Sequence, residues 1–149
     1  MAINISILGL RVVKESSGRY DINRRITCPD DIYAVAIEVL EMEELAEERF
    51  NMITLDTKNN ITGVFTVSTG SLNASIVHPR EVFKRAILQN ANAIVFLHNH
   101  PSGDPKPSIE DVNITKRLVE VGTIIGINVL DHVIIGDGRF FSMKDRDLI

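Results

Sequence analysis

The stretch HNHPSGDPKPSIED, residues 98–111, decides how the rest of this chain is interpreted. It follows the apolar run IVFL, residues 94–97, whose branched and aromatic side chains indicate a short strand buried on both faces. In a strand, residues i and i+2 point to the same side. We therefore expect His98 and His100 to leave the end of a buried strand with their imidazoles aimed together.

The residues after the two histidines predict a loop and then a helix. The prolines and the glycine between residues 101 and 107 disfavour regular structure. Ser108 stands where a helix cap belongs, and apolar residues recur behind it at roughly helical spacing until Gly122, which predicts the end of the helix. Asp111 falls in the first turn of this helix.

Two histidines and one carboxylate from neighbouring elements form the three-ligand set that holds a catalytic zinc ion and leaves a fourth position for water. The candidate ligands are His98, His100 and Asp111. A closed structural site would more often use four ligands including cysteine, and Cys28 is the only cysteine in the sequence. HxH by itself is usually chance, and SxxD by itself is a variant of the capping box. Their combination on a strand, a loop and a helix favours the metal site.

The combined pattern, HxHP followed by six residues and SxxD, resembles the metal-binding signature of the JAMM (JAB/MPN) metalloprotease superfamily. The full string HNHPSGDPKPSIED is similar to the bacterial RadC branch of that superfamily. Three further segments resemble RadC chains in the same order, namely residues 48–61, 68–87 and 127–143. The resemblance covers roughly residue 48 to the C-terminus.

This resemblance implies an α/β fold of the JAMM/MPN type, which is cytidine-deaminase-like, with a curved mixed β-sheet flanked by helices in three layers. It implies a zinc-dependent metalloprotease that hydrolyses peptide or isopeptide bonds of a protein or peptide substrate. The glutamate that precedes LDTKN in the family is the catalytic acid/base, which gives Glu48 that role. The motif serine stabilises the oxyanion, which gives Ser108 that role.

Two questions stay open at this point. Glu44 and Glu47 lie in the same acidic block as Glu48, and periodicity alone does not choose among the three. Ser108 has two tasks in conflict, because a hydroxyl fully committed to capping its helix cannot also stabilise an oxyanion.

Composition predicts a single folded domain over residues 1–149, and the resemblance implies that its core lies at residues 48–143. A chain of 149 residues with 44% hydrophobic content buries roughly two thirds of its unfolded surface. The first 47 residues are too few for the N-terminal helix-hairpin-helix domain of full-length RadC-type proteins, so we expect that domain to be absent.

The formal net charge of −4 gives no overall positive field that would gather nucleic acid. DNA binding is possible but not favoured, and the alternative function is a RadC-type DNA-repair or recombination accessory without peptidase activity. A non-catalytic scaffold is disfavoured because every ligand position is present. A two-metal phosphodiesterase is disfavoured because no second carboxylate cluster is apparent.

A lone cysteine excludes an internal disulfide framework and fits a reducing compartment. No segment approaches the roughly 20 apolar residues that span a bilayer. We therefore predict a cytoplasmic protein without membrane contact. The oligomeric state stays open, with a homodimer as one alternative.

The remaining elements follow from periodicity and turn residues. We predict a first strand at residues 1–14 with a partner strand at 20–26, a helix from Pro29, a hairpin of strands 50–55 and 61–67, a strand at 72–77, a helix from Pro79 with Ile87 on its apolar face, a strand at 127–135, a tight hairpin at 136–141 and a tail helix or frayed end at 144–149. His78 is interpreted as a helix-start residue, with a supporting role beside the metal as the alternative. His132 is interpreted as a histidine hydrogen-bonded to polar neighbours in its strand.

Overall fold

A computed structural model describes residues 1–70 and 77–149 of the chain. The strands are β1 (Arg49–Leu55), β2 (Ile61–Thr69), β3 (Ala93–Asn99), β4 (Asn128–Ile135) and β5 (Phe140–Ser142). The helices are α1 (Pro29–Glu38), α2 (Pro79–Leu88) and α3 (Ile109–Ile125), with a short 3-10 turn at Met42–Glu44. The strand predicted at 72–77 falls almost entirely outside the described residues.

The strands form one mixed sheet in the order β2-β1-β3-β4-β5. β1 is antiparallel to both β2 and β3, whereas β3 and β4 are parallel and β5 returns antiparallel to β4. The parallel pair is joined through α3, as a crossover connection requires. The two predicted hairpins are confirmed, and one of the two register shifts between β1 and β2 falls beside Gly63.

Helices cover both faces of the sheet, which confirms the α/β arrangement in three layers. One core cluster lies under α1 and takes Val95 and Leu97 from β3. The other lies under α2 and α3 and takes Ile94 and Phe96. β3 is buried along its whole length because it supplies side chains alternately to both clusters. Over the described residues, no helix is long and apolar enough to cross a membrane.

α1 begins at Pro29, and the Asp31 side chain in its first turn accepts hydrogen bonds from backbone N–H groups that precede the helix. The Asp31 carboxylate accepts from the backbone N–H groups of Thr27 and Cys28 at 2.7 and 3.2 Å, and from the side chain of Asn23 at 2.7 Å. Burial alone would raise the pKa of Asp31, but these hydrogen bonds outweigh it and lower the pKa to about 2.

The predicted first strand is wrong. Residues 1–14 have no regular secondary structure, and their alternating apolar side chains are exposed, with Ile3 at 73% and Ile7 at 99%. The predicted partner strand at 20–26 is reduced to a single bridge between Arg25 and Asn60. Alternation makes a strand only where a neighbouring strand pairs with its backbone and an apolar layer covers one face.

Two further boundaries and the exposure of one residue differ from expectation. α3 continues through Gly122 and ends at Gly126, whose φ of +84° suits a glycine C-cap. Gly122 is needed for a close approach, since a Cβ there would lie 2.5 Å from the carbonyl oxygen of Ile127. Ile87 is 53% exposed rather than on the buried face of α2. Of the two alternatives predicted for residues 144–149, the tail helix is wrong, because residues 143–147 form turns and residues 148–149 have no regular secondary structure.

We predict that Asp31→Asn lowers the free energy of unfolding by about 1–3 kcal/mol at neutral pH, because it removes a charged acceptor from a capping network. The folded-state pKa is depressed, so the carboxylate contribution is complete above the ordinary value of 3.8 and is lost as the pH falls through about 2. Urea unfolding between about pH 7 and about pH 3 should show the difference from wild type shrinking at the acid end. Asp30→Asn, at an exposed neighbour with the same charge change, is the control. An equal loss in both variants would contradict the network's role.

Candidate metal centre

His98, His100 and Asp111 bring their donor atoms together at the end of β3. The two Nε2 atoms lie 2.9 Å apart, and they lie 3.4 Å (His98) and 3.3 Å (His100) from the carboxylate oxygens of Asp111. The expectation that both imidazoles are aimed together is therefore confirmed. Among the described residues, this is the group of His, Cys, Asp and Glu side chains that could hold a metal ion.

The spacing of the three donors fits a small tetrahedral ion. Zinc bonds of 2.0–2.1 Å at tetrahedral angles separate neighbouring ligand atoms by about 3.3 Å. Each histidine Nε2 lies near this distance from an Asp111 oxygen, namely Oδ1 for His98 and Oδ2 for His100, and the imidazole pair is closer at 2.9 Å. The donor atoms are close enough together for the group to hold a metal ion.

The loop between β3 and α3 holds His100 in this position. The backbone N–H of His100 donates to Ile135 on β4 at 2.9 Å, and its ring Nδ1 lies 2.7 Å from the carbonyl oxygen of Asp104. A Cβ on Gly136 would lie 2.5 Å from the carbonyl oxygen of Gly103, so the loop packs directly against the turn after β4. The ring therefore presents Nε2, and not Nδ1, to the other ligands.

Ser108 and Asp111 form a reciprocal capping box at the start of α3. The Ser108 hydroxyl oxygen accepts from the Asp111 N–H at 3.0 Å, and Asp111 Oδ2 accepts from the Ser108 N–H at 2.7 Å. This fixes the carboxylate of Asp111 beside the histidines. A hydroxyl has one proton and two lone pairs, and the cap uses a lone pair. The cap therefore does not use the hydroxyl proton of Ser108. The capping role and the oxyanion role, which the sequence left in conflict, are compatible.

For two of the three donors, Asp111 and His98, electrostatics favour the protonation state that a metal needs. Burial would raise the pKa of Asp111, but the nearby imidazoles of His100 and His98 lower it well below its usual range. Burial lowers the pKa of His98, against the opposing effect of Asp111. The hydrogen bond to Asp111 raises the pKa of His100, against its partial burial. Asp111 is consequently ionised and His98 neutral at neutral pH.

An open cavity of about 330 Å³ lies over the metal centre. The residues lining it are Glu48, His100, Pro101, Ser102, Ser108, Glu110 and Asp111. Glu48 reaches it because β1 pairs Phe50 with His98, so that the same antiparallel register continued by two residues brings Glu48 opposite His100. Glu44 and Glu47 are exposed and do not line the cavity. Geometry therefore separates Glu48 from the two alternatives that periodicity left open.

Asn99 lies between the two histidines and ties down the backbone around Glu48. Its side-chain oxygen accepts from the Arg49 N–H at 2.8 Å, and its amide donates to the Glu47 carbonyl at 3.0 Å. Asn99 is 2% exposed, so both bonds are made away from water. β3 thus presents a candidate ligand, His98, on one face and, on the other face, Asn99, which holds the backbone on both sides of Glu48.

His132 and Thr115 are the polar residues of the centre that sequence reasoning missed. The ring of His132 lies 2.7 Å from the ring of His98 and 2.5 Å from the hydroxyl of Thr115, so the ring contacts residues outside its own strand. Its backbone N–H donates to the neighbouring Asp131. Burial lowers the pKa of His132 far below its usual value. One signal was available, since Thr115 is four residues after Asp111 and therefore on the same helix face. His78 caps α2 by accepting from the Arg80 N–H, as the helix-start interpretation expects.

Comparison with known proteins points to one family. A family model described as a RadC-like JAB domain matches residues 26–148. The chain is 59% identical to a UPF0758 protein of Alkaliphilus oremlandii over 85% of this chain and 54% of the relative. It is 53% identical to a UPF0758 protein of Caldanaerobacter subterraneus over 93% of this chain and 58% of the relative. The chain thus spans about half the length of the curated relatives it matches.

We predict that His98→Ala and Asp111→Asn each weaken binding of a divalent metal ion by more than about 100-fold, beyond what the loss of an outer contact costs. Metal content of the purified protein by mass spectrometry, with titration against a competing chelator, measures this. His78→Ala removes a histidine that only caps α2 and should leave the metal content unchanged. Stoichiometric metal in both ligand variants would exclude this centre.

We predict that Asn99→Ala loosens the start of β1 while leaving metal binding intact. The Arg49 amide loses its acceptor, and a local loss of about 1.4 kcal/mol speeds its hydrogen exchange about tenfold. NMR hydrogen exchange measures this, and the Ile53 amide in the middle of β1 is the internal control. Equal protection of Arg49 in both proteins would show that Asn99 does not hold this segment.

Proposed function

Because this chain belongs to the family of RadC-like JAB domains, which is related to the JAMM superfamily, we propose that it is a zinc-dependent hydrolase of peptide or isopeptide bonds. The observation that carries the proposal is that one open cavity is lined by two of the three candidate metal ligands, His100 and Asp111, together with Glu48 and Ser108, while the third ligand, His98, lies buried beside them. These are the parts that amide hydrolysis needs, namely a metal site, a proton-transfer group and an oxyanion donor.

The donor set supports zinc as the ion. Two imidazoles and one carboxylate suit zinc and leave a fourth position for water or substrate. Zinc, when bound, supplies a Lewis acid that lowers the pKa of a water ligand from about 15.7 to about 7. The ionised Asp111 and the neutral His98 present the lone pairs that such an ion requires.

Glu48 is proposed as the group that moves protons. Its position across from His100 and on the cavity wall gives it access to a water molecule and to a leaving amine in the same space. Acting first as a base, it takes the proton of the water; acting then as an acid, it passes that proton to the amine nitrogen. Asn99 fixes the backbone on both sides of Glu48, so the carboxylate needs little reorganisation during the reaction.

Ser108 is proposed to stabilise the negative charge that develops on the carbonyl oxygen. Its oxygen is fixed by the cap on α3, and the cap does not consume its proton. A hydroxyl held in this way donates more strongly to the transition state than to the uncharged carbonyl.

The walls of the cavity favour a polar, extended substrate. Ser102, Ser108 and Glu110 border the ligands, and the cavity is open to solvent on one side, which suits a segment of a protein or peptide chain. We propose a protein or peptide substrate that enters as an exposed loop or tail.

The proposed reaction predicts a separation of metal binding from turnover. Zinc-loaded protein should cleave members of a library of quenched fluorescent peptides and lysine-linked isopeptides. Glu48→Gln should lower that turnover by about 10²–10⁴-fold and Ser108→Ala by about 10²–10³-fold, both with zinc content unchanged. Glu44→Gln, a matched change in the same acidic segment, should keep wild-type turnover.

Two results would count against this function. Glu48→Gln retaining full turnover would remove Glu48 from the proton transfers. The second is that zinc-loaded wild-type protein, shown to be folded by circular dichroism, cleaves neither class of substrate. The centre would then have another function.

A further inference from the structure

His132 is fully buried on β4 and contacts the metal centre through His98. Its Nε2 lies 2.7 Å from Nδ1 of His98, and its Nδ1 lies 2.5 Å from the Thr115 hydroxyl oxygen. Thr115 in turn donates to the backbone carbonyl oxygen of Asp111 at 2.6 Å. A chain of hydrogen bonds thus runs from the backbone of one candidate ligand to the ring of another.

The end of this chain fixes the direction of each proton in it. A carbonyl oxygen only accepts, so the Thr115 proton goes to Asp111, and the Thr115 oxygen then accepts from Nδ1–H of His132. A neutral imidazole with a proton on Nδ1 has a bare Nε2, which accepts from Nδ1–H of His98. His98 is left with an unprotonated Nε2, which is the atom that faces His100 and Asp111.

The surroundings of His132 hold the ring in this role. Phe50 meets it edge-on with ring centres 5.4 Å apart, and Phe96 does so at 5.9 Å. Full burial between aromatic rings disfavours a charged imidazole, because such a charge would lose its hydration. The packing therefore favours the neutral ring that the hydrogen-bond chain requires.

An irregularity in β4 brings His132 to the face of the metal centre. The pairing of β3 with β4 skips one residue, Leu130. Val129 before the skip packs into the core under α2 and α3, and His132 after it contacts Phe96 in that same core. In a regular strand, residues three apart point to opposite faces, so the extra residue is what allows both to face the same side.

We propose that His132 and Thr115 are positioning residues that lock His98 in its Nδ1–H tautomer and so keep the Nε2 lone pair ready for a metal ion. Partners of this kind, which receive the second N–H of a ligating histidine, raise metal affinity by fixing the ring and its tautomer. The effect on affinity rests on the metal-dependent function proposed above. The tautomer of His98, in contrast, is a property of the protein without metal.

Two variants break the hydrogen-bond chain at different links, and a third restores part of one link. His132→Leu should weaken zinc binding by about 10–100-fold, and Thr115→Val, which removes only the hydroxyl, should also weaken it. His132→Gln should recover part of the loss, because its amide oxygen can still accept from His98. Affinity is measured by competition with a chromophoric chelator, and circular dichroism with thermal unfolding confirms the fold of each variant.

A second readout separates positioning from a merely structural role. Ring ¹⁵N shifts of His98 in metal-free protein should report the Nδ1–H form in wild type, and a mixture of tautomers in His132→Leu and Thr115→Val. Thr54→Val is the matched control, since it removes a fully buried hydroxyl from β1 that donates to Gly63 and accepts from Thr62, away from the metal centre. It should change neither the tautomer nor the zinc affinity.

The proposal is overturned if metal-free wild type carries the proton of His98 on Nε2. It is also overturned if folded Thr115→Val keeps both the wild-type tautomer and the wild-type zinc affinity. Failure of the hydrolase function would give a different result. Wild type would then lack turnover or zinc, while the tautomer measurement would still show whether His132 and Thr115 orient the His98 proton.

Discussion

The full burial of His98 is the constraint on which the metal centre depends. A polar ring removed from water needs a partner for each nitrogen, since an unpaired buried polar group is costly. Nε2 lies among the other donor atoms, 2.9 Å from His100 and 3.4 Å from Asp111, and Nδ1 lies 2.7 Å from His132. The centre therefore extends from the open cavity into the core, so the packing of the sheet and the geometry of the ligands are set together.

Strand register positions Glu48, as burial positions His98. Antiparallel pairing of β1 with β3 places the segment before β1 alongside the end of β3, where the candidate ligands lie. Asn99 then fixes that segment from the opposite face of the same strand. A single buried strand consequently orders a candidate ligand and the candidate acid/base, although these residues are far apart in the sequence.

Local patterns were enough to predict the parts of the centre that are close in sequence. The buried strand, the loop, the cap at Ser108 and the facing imidazoles follow from periodicity, turn residues and strand alternation, all of which act over a few residues. Pairing between distant segments was not predictable in this way. The alternation in residues 1–14 has the pattern of a strand but meets no neighbour in the described sheet, and the skip at Leu130, which decides where His132 points, leaves no mark in the sequence.

The polar chain through His132 and Thr115 is better explained by the metal centre than by the stability of the fold. The two apolar layers on either side of the sheet supply the main driving force for folding. A buried polar pair adds little to this, because each hydrogen bond inside the protein replaces one to water, and apolar residues of similar shape are often as stable or more so. What a hydrogen-bonded pair offers that an apolar pair cannot is a fixed direction for a proton. A fixed proton direction matters at His98, where the choice of nitrogen decides whether a lone pair faces the other ligands. Stability alone therefore does not account for a histidine at this buried position, whereas the proposed orientation of a candidate metal ligand does.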